Sequence, residues 1–179
     1  AGFRGRALAP IVDAPAVQAA FAAGVGRNIR LTLGGTLDPL RFAPWPVTAR
    51  VRLLSDGEHF SETTRSLWFA GPTAVLEVNG STIIATSRPV SLYDRALFYA
   101  HGCDPLHYDC VIVKSPQCEP HMFRAWANQY IDVDAPGSTS ANLDTTPDLT
   151  VVTDVYTTTG HRTGRVLRVN CNFTNATNP

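Results

Sequence analysis

The hydrophobic and polar positions of this chain change rhythm about halfway along it. Residues 14–23 form a run of small apolar side chains bounded by Asp13 and Gly24, which predicts a helix. Asp13 can accept the free N–H groups of the first turn, Pro15 falls where its missing N–H costs nothing, and Gly24 suits the left-handed position after the last turn. Asn28, Ile29, Arg30, Leu31, Thr32 and Leu33 then alternate polar with apolar and stop at Gly34-Gly35, the pattern of a strand with one buried face. Residues 47–54 repeat that period of two and end at the turn Ser55-Asp56-Gly57. The clearest hairpin runs from Thr73 to Val78, turns at Asn79-Gly80 and returns from Ser81 to Thr86.

The second half is patterned differently. Residues 91–100 carry apolar side chains at helical spacing, with Ser91 as a cap and Gly102 as a stop. Cys110, Val111, Ile112 and Val113 form a continuous apolar run, expected to be a strand buried on both faces. Residues 121–129 read as a further helix, and Ile131-Asp132-Val133-Asp134 as a return to strand. The expected fold is therefore a mixed α+β domain with a mixed, partly antiparallel sheet, a strand–helix–strand unit and two or three flanking helices. After Leu143 the chain is Thr-rich and weakly patterned. Residues 149–156 could add a strand, and residues 170–179 read as a frayed tail.

Composition narrows the field. At 179 residues, 44% hydrophobic and 17% charged, the chain is an ordinary globular domain able to bury a core without staples. Fifteen basic residues balance 15 acidic ones, so no basic field argues for nucleic acid or an anionic membrane. Neither a transmembrane run nor a signal-peptide pattern occurs, and a cytoplasmic location is expected. The opening at Ala1 reads as a processed chain or a fragment. Cys103, Cys110, Cys118 and Cys171 contain no CxxC pair, and reduced thiols are the default. The sequons at Asn79, Asn172 and Asn175 carry weight only in a secreted protein.

Candidate chemistry concentrates between Lys114 and Phe123. This segment leaves the end of a strand and feeds a helix, and open α/β sheets bind ligands at the carboxyl ends of their strands. Lys114, Ser115, Cys118, Glu119 and His121 could face a pocket there, with Lys114 binding a carboxylate and His121 moving a proton. A Pro-stiffened connection that only caps the next helix is the bland alternative. His101, Cys103, Asp104, His107, Cys110, Cys118 and His121 also crowd together, but their spacing is not that of a zinc site. Glu58-His59-Phe60-Ser61-Glu62 lacks HExxH spacing and reads as a solvated strand edge. The carboxylates of Asp132 and Asp134 read as turn caps before a cation site. Gly24-Val25-Gly26 and Gly34-Gly35 are turn glycines and not phosphate cradles. Ser115, His121 and an Asp make a triad only on paper.

Several blocks, in order, carry a resemblance. They are Asp13-Ala14-Pro15-Ala16-Val17 into Ala23-Gly24-Val25-Gly26-Arg27, Thr32-Leu33-Gly34-Gly35-Thr36-Leu37-Asp38-Pro39, Leu53-Leu54-Ser55-Asp56-Gly57, and Thr86-Ser87-Arg88-Pro89 with Leu92-Tyr93-Asp94. Gly102-Cys103-Asp104-Pro105, Val113-Lys114-Ser115 through His121-Met122-Phe123-Arg124-Ala125, and Val133-Asp134-Ala135-Pro136-Gly137 complete the set. Together they resemble the C-terminal domain of the microcystinase C (MlrC) family of zinc metallopeptidases. The match covers residues 1–143 as an N-terminally truncated domain and leaves 144–179 as a divergent tail. The stretch between Lys114-Ser115 and His121 is longer than in the family pattern.

The resemblance implies a larger peptidase or amide hydrolase whose N-terminal domain, on the same polypeptide, holds the zinc while this module packs over it. It implies no zinc in this chain alone. Lys114, Ser115, His121 and Arg124 are then substrate-binding candidates for a peptide or amide, and no catalytic residue is assigned within the chain. The competing expectation is a non-catalytic interaction domain whose uncovered apolar face binds another chain, or a second copy in a homo-oligomer.

Overall fold

A computed structural model describes residues 4–37, 39–40, 42–90, 92, 94–113, 127–129, 131, 150–152 and 168–170. The chain divides into two compact units, residues 1–132 and 133–179. In the first, β1 (Ala7–Val12) leads into α1 (Ala14–Ala23), followed by β2 (Asn28–Leu33) and the long β3 (Trp45–Ser55). A short hairpin, β4 (Glu58–Phe60) and β5 (Leu67–Phe69), precedes the longer hairpin of β6 (Thr73–Val78) and β7 (Ser81–Thr86). Helix α2 (Ala96–Ala100), a 3-10 turn at Pro105–His107 and β8 (Cys110–Val111) complete it. In the second unit β9 (Thr150–Val152) pairs antiparallel with β10 (Arg168–Asn170).

Among the described residues the main sheet has six strands in the order β2-β3-β6-β7-β1-β8. Its β2-β3-β6-β7 side is antiparallel, while β7, β1 and β8 run parallel. Mixed α+β is thus the fold. The strand–helix–strand unit among the described residues is β7-α2-β8, with β1 inserted between its strands. The unit expected around residues 121–134 lies outside the described residues.

Two cores follow from the alternation of the strands. Ala74, Leu76, Val78 and Ala85 join Ala16, Val17 and Ala20 of α1 on one face, while Val75 and Ile84 join Leu97 and Phe98 of α2 on the other. The β6-β7 hairpin is therefore covered on both sides. Its turn is built as expected, with Asn79 at φ 50° and Gly80 at φ 80°, the two positive angles of a type I′ turn.

Strand β3 contains a bulge. Val51 pairs with Leu76 and Leu53 with Val75, so Arg52 is an extra residue without a partner of its own. The insertion shifts the phase: Val47, Ala49 and Val51 serve the α1 core, whereas Leu53 packs on the α2 side. Ser55, two residues on, inherits that α2-facing direction.

Helix α1 begins as its sequence directs. The Asp13 carboxylate accepts from the Ala16 N–H at 3.0 Å, and its second oxygen accepts from the Gly34 N–H at 2.8 Å. Gly34 follows the end of β2 that pairs with Trp45, and Trp45 lies at the opposite end of β3 from Ser55. For Gly34 to reach Asp13, the β2-β3 ribbon must curl back over α1.

Three expectations are corrected. Helix α2 starts at Ala96, not at residue 91, because Asp94 takes up the Ala96 N–H and is itself held by Ser61 and Thr63. It closes with Gly102 at φ 69° and the paired bonds Cys103 N–H to Phe98 O and Gly102 N–H to Tyr99 O, which satisfy two orphan carbonyls. Strand β8 is not buried on both faces. Among the described residues it pairs with β1 alone, and Cys110 is exposed. The segment 58–62 is not a solvated edge throughout, since His59 and Ser61 are buried.

No helix among the described residues is long and apolar enough to cross a membrane. Replacing Asp13 with Ala removes a helix cap worth about 1 kcal/mol and a charge-assisted bond worth roughly 1.5–3 kcal/mol. Urea unfolding should therefore show a loss of about 2–4 kcal/mol, and an unchanged midpoint would contradict the role given to Asp13.

Candidate functional site at the carboxyl ends of the parallel strands

Strands β7, β1 and β8 finish at the same end of the sheet, and β3 also ends there because it lies antiparallel to β6. The row Ser55, Thr73, Thr86 and Val12 crosses four strands at this level. Beyond it lie Asp13, whose N–H donates to the Thr86 carbonyl at 2.9 Å, and the exposed Arg88. Strand β8 directs Val113 toward the same end, because Ala7 pairs with Cys110 and Leu8 with Val111 in parallel register.

Lys114, Ser115, His121 and Arg124, the four substrate-binding candidates, lie outside the described residues, as do Cys118 and Glu119. Only the strand that delivers the chain to them is placed. The carboxylates of Asp132 and Asp134 also lie outside.

On the α2 side this end carries a polar pair, the buried His101 with Ser55, whose contact the sequence did not reveal. The Nδ1 of His101 lies 2.7 Å from the Leu97 carbonyl, which can only accept, so Nδ1 bears the proton. Nε2 must then accept from the Ser55 hydroxyl at 2.9 Å, and the Ser55 oxygen in turn accepts from the Gly57 N–H at 3.1 Å. The bulge at Arg52 makes this contact available by turning Ser55 to the α2 face. Nearby, the buried His59 donates from Nδ1 to the Gly57 carbonyl at 3.2 Å.

Gly57 itself is fixed by space as well as by its φ of 78°. A Cβ there would sit 1.9 Å from the Gly71 carbonyl oxygen. The Ser55-Asp56-Gly57 sequence signalled a turn, but nothing in it announced a histidine partner 46 residues away.

Burial sets the electrostatics. It holds the His101 imidazole below its ordinary pKa; the hydrogen bond to Leu97 and the charge of Asp56 oppose that shift, and neighbouring His59 reinforces it. Burial alone would raise the Asp94 carboxyl. Hydrogen bonds from Ser61, Thr63 and Ala96 outweigh it and hold this carboxyl below its usual range. Cys103, buried beside the same helix end, has its thiol pushed up by burial.

Each of these groups is spoken for. His101 has both ring nitrogens engaged, Asp94 accepts from the Ala96 N–H at the start of α2, and Asp104 caps the 3-10 turn through the Leu106 N–H. Cys103 and Cys110 are free thiols. Among the described residues no three His, Cys, Asp or Glu side chains converge as a metal site.

The fold and this polar strand end define an α+β module whose sheet changes from antiparallel to parallel at β7. The chain belongs to the family described as MlrC C-terminus, whose model matches residues 1–148. Among solved structures, a protein of Mesorhizobium sp. BNC1 described as "Putative metallopeptidase" has a similar fold, with a TM-score of 0.70 at 23% identity. The match covers 95% of this chain and 34% of that protein, so this chain spans about a third of its length. No curated protein matches the chain.

The His101 arrangement predicts a pH dependence. A folded pKa below the unfolded value of about 6.5 means that the unfolded state binds the proton first. The stability contributed by neutral His101 is complete above that pH and is lost as pH falls below it. Thermal unfolding from pH 8 to 5 should show a steeper decline for wild type than for His101→Gln, and parallel curves would refute the assignment.

Proposed function

We propose that this chain is the C-terminal module of a metal-dependent peptidase or amide hydrolase and supplies substrate-binding groups to a site completed by a preceding domain. The observation that carries the reading is the parallel placement of β8. It leads the chain toward the carboxyl ends of β7 and β1, where open sheets of this kind bind ligands, immediately before Lys114.

In this reading Lys114 and Arg124 pair with substrate carboxylate or carbonyl oxygens. Ser115 contributes a neutral hydrogen bond, and His121 orients the substrate or moves a proton near the scissile bond. The metal, zinc on the sequence resemblance, belongs to the preceding domain and would activate water there. Family membership and the neighbour's fold support the class. The substrate class, a peptide or amide, rests on the resemblance.

A second reading is a non-catalytic interaction module, with Phe60, Leu67 and Phe69, exposed together on the short hairpin, as a surface that either reading could use. Kinetics separate the two. In the full-length polypeptide, Lys114→Ala and His121→Ala should each lower kcat/KM on peptide substrates by about 10- to 100-fold, the scale of losing a charged or proton-transferring contact. Wild-type kinetics in both variants would discard the hydrolase role for this segment.

A further inference from the structure

The β4-β5 hairpin carries an apolar face that the described residues leave exposed. Glu58 pairs with Phe69, His59 with Trp68 and Phe60 with Leu67. Residues directly opposite share a face, so Phe60, Leu67, Phe69 and Glu58 stand on one side while His59 and Trp68 stand on the other. The inner side is packed, with His59 only 7% exposed. On the outer side Phe60, Leu67 and Phe69 are 62, 50 and 53% exposed.

This face cannot turn inward. The Ser61 hydroxyl donates to Asp94 at 2.6 Å, the Arg95 guanidinium grips both oxygens of Glu62, and the Ala70 N–H donates to the Gly57 carbonyl at 3.0 Å. Rotating the hairpin to hide its aromatic side chains would break all of these contacts and expose His59. Isolated exposed apolar residues are ordinary. Three clustered on one rigid two-stranded ribbon, rimmed by the charged Glu58, Glu62 and Arg95, mark a binding surface.

We infer that this hairpin face is the docking surface for the domain that precedes this module on the same polypeptide. The inference rests on the reading proposed above. Two observations select the occupant. The chain spans only 34% of the structurally similar protein, so most of a comparable polypeptide lies outside it. The hairpin also follows directly on Ser55, at the sheet end toward which Val113 leads the candidate segment. A domain resting on Phe60 and Phe69 would therefore stand at the end of the sheet toward which β8 runs. Its complementary surface should be apolar, with a basic group facing Glu58.

The test places a photo-cross-linking benzoylphenylalanine at position 69 of the full-length polypeptide and maps the products by mass spectrometry. Cross-links to peptides that precede Ala1 are the expected result. Cross-links to a second copy, no cross-links, or a gene encoding no preceding domain would overturn the proposal. The double variant Phe60→Ser and Phe69→Ser provides an independent reading. It should leave the melting temperature of the 179-residue chain unchanged while raising the rate of inter-domain proteolysis in the full-length protein by about tenfold, the effect of removing a small interface hot spot. An unchanged rate of proteolysis would count against docking. Docking and chemistry fail separately: cross-links without peptide hydrolysis would leave this surface standing and sink the peptidase reading, and hydrolysis without cross-links would do the reverse.

Discussion

The buried carboxylate of Asp13 joins three parts of the molecule that the chain itself keeps apart. It ends β1, opens α1 and accepts from the Gly34 N–H beyond β2. Each contact supports the others. Capping α1 fixes where the helix leaves the sheet, and holding Gly34 keeps the β2-β3 ribbon curled over that helix. The core of Leu33, Val47 and Ala49 against Ala16, Val17 and Ala20 can form only in that curled state. A charge-assisted bond in a low-dielectric setting is suited to this duty, because leaving any of its partners unpaired costs more than the bond itself contributes.

The opposite face is organised by a different device. One extra residue, Arg52, changes which way the end of β3 points, and Ser55 becomes the partner of His101. Because α2 closes with the Phe98–Cys103 and Tyr99–Gly102 bonds, the imidazole stands fixed between the helix end and the strand end. The carboxyl ends of the parallel strands are thereby pre-formed: Asp13 governs one face and the His101–Ser55 pair the other.

Local signals were readable where the determining interaction lies within a few residues. The Asp13 cap with Pro15 and Gly24, the Asn79-Gly80 turn and the alternation of β2 all came through in the structure. The strand β1 went unread because Ala-Leu-Ala-Pro-Ile-Val carries neither alternation nor turn punctuation, and Pro10 argues against a central strand. The structure resolves that conflict. The Leu8 carbonyl bonds to Ile112 on the β8 side, so alternation points the Pro10 nitrogen to that side too, beyond the two residues that pair with β8. Strand β8 falls at Cys110–Val111, inside the expected run 110–113, but its burial was overstated, since an apolar run does not reveal how much of each face is covered.

For the candidate site, the sequence supplied the residue types and the strand that leads to them, together with the family resemblance that the match over residues 1–148 bears out. Capping, turn type and strand period were determined by the sequence alone, because their physics is complete within one turn or one hairpin. Only the tertiary structure decided that β1 lies between β7 and β8, that β3 reverses face at Arg52, and that the outer side of the β4-β5 hairpin is left exposed by the described residues. Each of those depends on what packs against a strand from a distant part of the chain, and the periodicity of a single strand carries no information about its neighbours.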